Sequence, residues 1–116
     1  MDNNEKRAGD FLERFGFSFK EEYRGEIRRL LEVEFSDYQQ GSSEYLRVLC
    51  GFLFCIGNVD DVELIEKIKL GINMDIGAMI DSEWIESMKG VPGSHIRTRD
   101  ELLKDYVSYY VKYFNL

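Results

Sequence analysis

Proline, histidine and cysteine are scarce in this chain of 116 residues: Pro92, His95, Cys50 and Cys55 are the full set. Proline breaks helices by removing an amide and clashing with the preceding turn, so a single one leaves room for long helices. One histidine and two cysteines remote from it fall short of a zinc site, which takes four protein ligands when structural and three when catalytic. The acids lack the regular spacing around a central glycine that a calcium-binding EF-hand loop needs. No metal and no cofactor is expected. Cys50 and Cys55 lie in the most apolar part of the chain, and on a helix a separation of five turns them about 140° apart. They are expected to be two buried, reduced thiols rather than a disulfide.

Long apolar runs are absent as well. The longest, Val48 to Ile56, has nine residues, whereas a helix crossing a bilayer needs about 20. The first residues, Met1-Asp2-Asn3-Asn4-Glu5-Lys6, do not follow the basic-then-apolar order of a signal peptide. A cytoplasmic protein with no membrane association is expected. Catalytic signatures are missing too. Gly90-Val91-Pro92-Gly93-Ser94 lacks the lysine of a phosphate-binding loop. Ser94 and His95 are adjacent, a spacing that rarely presents a nucleophile to its base. No internal repeat or low-complexity segment stands out. The sequence favours a non-catalytic protein.

Acidic charge, in contrast, is plentiful and unevenly spread. The chain has 22 acidic and 15 basic side chains, a formal net charge of −7. The segment 60–86 holds Asp60, Asp61, Glu63, Glu66, Asp75, Asp81, Glu83 and Glu86 against only Lys67 and Lys69, so it carries nearly all of that excess. A local negative field attracts a basic partner and repels nucleic acid. Arg24, Arg28 and Arg29 form a small basic patch, but Glu22, Glu26 and Glu32 alternate with them, so internal salt bridges are expected there instead of phosphate contacts.

Hydrophobic residues make up 44% of the chain, enough for one domain with one modest core. Capping residues and glycines divide it into helical pieces. The first, Asp2 to Phe15, is polar at its start and is expected to fray over 1–16. The second is expected to open at Ser18, since Ser18 and Glu21 have the capping-box spacing, with Tyr23, Ile27, Leu30 and Leu31 as its apolar stripe. The third, Ser43 to Ile56, is apolar on nearly every face and belongs at the centre of the fold; Val48 to Ile56 alone also reads as a buried strand. The fourth starts near Asp60, again with capping-box spacing to Glu63. A fifth segment within Ile76 to Met88 contains Asp81-Ser82, a cap that would split it in two. Lys89 to Arg97 reads as a loop. The last helix starts at the capping box Thr98-Arg99-Asp100-Glu101, with Leu103, Val107, Tyr110 and Phe114 as one stripe. Tyr106, Tyr109 and Tyr113 form a neighbouring, half-exposed one.

Within Tyr45 to Glu86, the features Gly57-Asn58-Val59-x-Asp61, Leu64-Ile65-x-Lys67-x-Lys69, Asn73-Met74-Asp75 and Ile80-Asp81-x-Glu83-Trp84 resemble an uncharacterised group of small bacterial all-helical proteins. The resemblance covers about a third of the chain. It implies helix pairs stacked as in HEAT-type arrays and a role as an immunity or interaction module, and it carries over no catalytic residue.

The sequence therefore predicts an all-α single domain of five to six antiparallel helices, either HEAT-like or an irregular bundle. Its predicted function is a protein-interaction module, of which a bacterial immunity or inhibitor protein is the concrete form. The candidate partner-binding residues are Asp60, Asp61, Glu63, Asp75, Asp81, Glu83, Trp84 and Glu86, with Trp84 as an aromatic anchor among acids. The same acids also suit helix starts and solvated faces, and Trp84 also suits the core. Two alternatives stay open: a small enzyme or ligand-binding protein with a carboxylate-lined pocket, and self-association through the tyrosine stripe.

Overall fold

A computed structural model describes residues 2–91 and 97–116. Among them are seven α-helices and no strand: α1 (Asn3–Phe15), α2 (Arg24–Ser36), α3 (Glu44–Ile56), α4 (Val62–Gly71), α5 (Met74–Met79), α6 (Ser82–Lys89) and α7 (Arg99–Tyr113). The fold is all-α, with one more helix than the largest expected number. Asn73 and Asp81 account for this. The Asn73 side chain accepts from the Ile76 amide at 2.9 Å and starts α5, and Asp81 accepts from the Glu83 amide at 2.9 Å and starts α6. Each side chain satisfies an amide left free at a helix start.

Helix α3 lies at the centre. It packs against α1, α2, α4, α5 and α6, and every residue from Glu44 to Cys55 except Arg47 is buried. The stretch 48–56 is helical along its whole length, because a helix satisfies its own amides while presenting apolar side chains in every direction. Gly57 ends it with φ +86°, a left-handed conformation that costs glycine little. The terminal carbonyls of α3 are covered from outside: the Arg99 guanidinium donates to Phe54 O at 2.9 Å and to Cys55 O at 2.8 Å. Cys50 and Cys55 are free and buried. Burial pushes both thiols up, that of Cys55 to about 12, so neither is a thiolate nucleophile at neutral pH.

The N-terminal helix is tied down. Ala8, Phe11 and Leu12 are buried in the core, with Phe11 edge-on to Phe52 at 5.3 Å. The Asn4 side chain donates to Gln39 O at 2.8 Å, and Asp2 accepts from the Ser42 amide at 2.9 Å.

Three local expectations are corrected. The Ser18–Glu21 capping box does not form; α2 begins at Arg24, after a 3-10 turn at Glu21–Tyr23. Phe19 packs on Phe52 at 4.8 Å and on Tyr106 at 6.1 Å, and this aromatic burial holds the segment around Ser18 out of a helix. Asp60 does not cap α4; Asn58 accepts from the Asp60 amide at 2.9 Å and starts a 3-10 turn that leads into the helix. On α7 the buried residues are Leu102, Tyr106 and Tyr110, so the helix is rotated relative to the expected stripe and Tyr106 is fully inside. The Thr98 capping box is present, with the Glu101 amide donating to Thr98 Oγ1 at 3.2 Å. Helix α6 reaches Lys89 and is capped by Gly90, and residues 92–96 of the expected loop, with Ser94 and His95, lie outside the described residues.

Candidate functional site

The eight acids of segment 60–86 divide into two groups once the fold brings basic side chains to them. Asp61 is 0% exposed and is gripped by two arginines of α2: Arg24 donates through Nε and Nη2 at 2.7 and 2.8 Å, and Arg28 through Nη1 at 2.6 Å. Burial alone would raise the Asp61 carboxyl, but the hydrogen bonds from Arg24 and Arg28 outweigh it and hold the group below the ordinary carboxylate range. Asp81 and Glu83 share Arg97, at 2.6 and 3.3 Å. Glu66 pairs with Lys89 at 3.0 Å. Lys67 turns away to Glu32 at 3.1 Å.

Asp60, Glu63, Asp75 and Glu86 remain. Among the described residues none of these has an ion-pair partner. Asp60, Glu63 and Asp75 are exposed and Glu86 is half-buried. Trp84 is 2% exposed, stacked on Phe54 at 5.8 Å and edge-on to Tyr106 at 6.0 Å. It is a core residue and cannot anchor a partner without unfolding α6. Asp61 is likewise off the surface.

Apolar side chains that the sequence reading did not single out lie beside the free acids. Leu70 is 79% exposed, Met74 89% and Val59 61%. Helix α4 buries Val62, Leu64, Ile65 and Ile68. Its opposite stripe carries Glu63, Glu66, Lys67 and Leu70, at the i, i+3, i+4 and i+7 positions of one face. Val59 and Asp60 precede that stripe, and Met74 and Asp75 follow it at the start of α5, which packs against α4. The result is a solvent face with acids interleaved among exposed aliphatic side chains.

A second cluster, between α3 and α7, was also missed. Glu44 is 3% exposed and accepts from the Tyr109 hydroxyl at 2.9 Å. Arg47 donates through Nε to Met79 O at 3.1 Å, and its guanidinium lies 4.2 Å from the Tyr109 ring centre, 5.1 Å from Trp84 and 5.2 Å from Tyr110. Glu44 Oε2, Arg47 Nη1 and Tyr110 Oη are buried without a hydrogen bond of ordinary length, but the three groups lie close enough to interact with one another. The available signal in the sequence was two charged residues, Glu44 and Arg47, one turn apart in a helix otherwise apolar enough to be central. Burial raises the Glu44 carboxyl above the ordinary range, and the Tyr109 hydrogen bond offsets part of that rise.

The fold therefore favours protonated Glu44. Stability supplied by that proton is present at low pH and is lost as pH rises through the raised pKa. Glu44→Gln removes the ionisation while keeping an oxygen for Tyr109. We expect the variant to be more stable than the parent at neutral pH and to lose this pH dependence, as read by urea midpoints between pH 4 and 8. A parent that is the more stable at neutral pH contradicts the assignment.

The carboxylates lining the surface clefts sit among basic side chains. Asp81 shares its cleft with Arg47 and Lys69, Glu32 and Glu63 share theirs with Arg28 and Lys67, and Asp105 shares its cleft with Arg47, Arg97 and Lys112. Glu44, whose carboxyl burial raises, accepts a hydrogen bond from the Tyr109 hydroxyl at 2.9 Å. Among the described residues no group of three or more His, Cys, Asp or Glu is placed to hold a metal ion, and no helix is long and apolar enough to cross a membrane. The chain matches no protein-family model, no curated protein and no solved structure.

Proposed function

We propose that this protein is a non-catalytic interaction module that binds a basic protein partner through the solvent face of α4 and the start of α5. The observation that carries this reading is the exposure of Leu70 on the face of α4 that also carries Glu63, and of Met74 next to Asp75 at the start of α5, neither carboxylate having an ion-pair partner among the described residues. Exposed aliphatic side chains gain by being covered, and carboxylates without an internal partner select a cationic surface and speed its approach. The site is narrower than the acidic segment as a whole: Asp60, Glu63, Asp75 and Glu86 contribute the field, with Val59, Leu70 and Met74 as apolar contacts. Asp61, Asp81, Glu83 and Trp84 support the helices behind them. A cytoplasmic bacterial immunity or inhibitor protein, covering the positive active site of its target, is the concrete form of this reading and the one the resemblance implies.

The test is a pull-down of tagged protein from its native lysate at low and at high salt, with two double variants. Glu63→Lys with Asp75→Lys removes the field, and Leu70→Ser with Met74→Ser removes the apolar contacts. These positions are exposed, so each substitution should change stability by no more than about 0.5 kcal/mol. One basic protein is expected to be retained by the parent at low salt, released at high salt, and lost by both variants. Retention that ignores salt and both variants overturns the proposal.

A further inference from the structure

Glu63, Glu66, Lys67 and Leu70 on α4 stand at i, i+3, i+4 and i+7, the diamond of positions that forms a hole for a side chain from a facing helix. The middle pair is drawn apart. Glu66 reaches Lys89 of α6 at 3.0 Å, and Lys67 reaches Glu32 of α2 at 3.1 Å. Helices α2 and α6 both pack against α4. Around the helix axis, positions 66 and 67 lie on opposite sides of the line from Glu63 to Leu70. The diamond is therefore open at its centre, with Glu63 exposed at one end and Leu70 exposed at the other. Those ends are two turns apart, about 10 Å along the axis.

The surroundings disfavour other forms of polypeptide. An extended segment binds by adding a strand to a sheet edge, and there is no strand among the described residues. A proline-rich segment docks in an aromatic-lined groove, whereas the exposed aromatic side chains among the described residues, Tyr109 and Tyr113, belong to α7. A phosphorylated segment would be repelled by Asp60 and Glu63, which have no ion-pair partner among the described residues. A helix satisfies its own amides and meets such a surface through side chains alone. Leu70 sets where an apolar residue belongs, and Asp60 and Glu63 set where lysine or arginine belongs.

We propose that the partner bound by this face presents an amphipathic α-helix, with an apolar side chain seated in the Glu63–Glu66–Lys67–Leu70 diamond and basic side chains over Asp60 and Glu63. This rests on the reading that α4 binds a basic protein, and it names the element of that protein which docks. Glu66 and Lys67 keep Lys89 and Glu32 as partners, so docking breaks no internal ion pair.

The probes are three alanine-based peptides of about 20 residues, long enough to form a helix alone. One carries leucines at i, i+4 and i+7 with arginines on the adjoining stripe. The second has the same composition in shuffled order, and the third is the striped peptide with a central proline, which breaks the helix. Each is titrated into the isotope-labelled full chain, and the backbone amides of α4 and the start of α5 are followed. Saturable shifts are expected with the striped peptide, and binding about tenfold or more weaker with the other two. Leu70→Ser should weaken the striped peptide about tenfold, the effect of leaving one large aliphatic side chain uncovered. Glu63→Lys should weaken it as well, and Val111→Ser, on the exposed side of α7, should leave it unchanged. Equal binding of the proline peptide overturns the proposal, because no helix is then required. Equal binding of the shuffled peptide overturns it too, as do shifts centred on another helix or no saturation with any peptide. In each of these cases a salt-released partner in the lysate pull-down, lost by both double variants, keeps the basic-partner reading. A pull-down without one sinks that reading alone.

Discussion

Gly51→Ala is expected to destabilise the protein by about 2–3 kcal/mol, although alanine is the better helix former by up to about 1 kcal/mol. A Cβ at position 51 would lie 2.3 and 2.6 Å from two Tyr106 ring carbons and 2.9 Å from a Trp84 ring carbon. None of these atoms is the loose end of a flexible chain. The Tyr106 hydroxyl is fixed to Val48 O at 2.8 Å, and Trp84 is held between Phe54 and Tyr106. Both rings would have to move, and α6 and α7 with them. For a chain of this length a drop in Tm of roughly 10 °C follows. Combining Gly51→Ala with Tyr106→Leu tests the cause. The double variant should be more stable than the sum of the single losses by about 1 kcal/mol or more, since the smaller side chain vacates the space the new methyl enters. Strict additivity would show that the close approach is not the source of the loss.

The same contact shows what could and could not be read from the sequence. Signals spanning three or four residues were legible: the Thr98 capping box, and Asp81 dividing α5 from α6. The centrality of α3 was legible too, because a helix apolar all round has nowhere else to go. On α7, two adjacent stripes both carried apolar or aromatic side chains, and periodicity could not choose between them. The gap at Gly51, which admits Tyr106, made the choice from another helix. The Ser18 box failed for a similar reason, because Phe19 had a core site to fill and a local cap did not compete. The candidate site was half legible. Charge counts located the acidic segment, but which acids stay free depends on Arg24, Arg28, Lys89 and Arg97, all outside it. The exposure of Leu70 and Met74 follows from how α4 and α5 pack, which apolar residue type alone does not reveal.

Asp61 is the position where charge counting alone misleads most, and its substitution should have the largest effect. Asp61→Ala removes the anion that two guanidinium groups share 37 and 33 residues away in sequence. Breaking a buried pair typically costs about 3–5 kcal/mol, because the remaining charge stays poorly solvated. Arg24 and Arg28 keep 22% and 38% of their side-chain surface in water, so the lower end of that range, about 3 kcal/mol, is expected here. An exposed pair such as Lys6–Asp10 should contribute about 0.2–1 kcal/mol. The dependence on pH follows from the lowered carboxyl. Ionised Asp61 stabilises the fold above the ordinary aspartate pKa, and that stability is lost as pH falls through the folded-state value. Asp61→Asn should therefore be less stable than the parent at neutral pH, with the gap closing in acid. Urea midpoints at neutral and acidic pH measure it. If the parent and the Asn variant run parallel down to acid, Asp61 is not an ionised member of the pair. A triple replacement by apolar residues, Arg24→Met, Arg28→Leu and Asp61→Leu, separates pairing from position. If the three groups serve only each other, it should recover most of the stability lost on Asp61→Ala, because well-packed apolar side chains substitute for a buried ion cluster at little net cost.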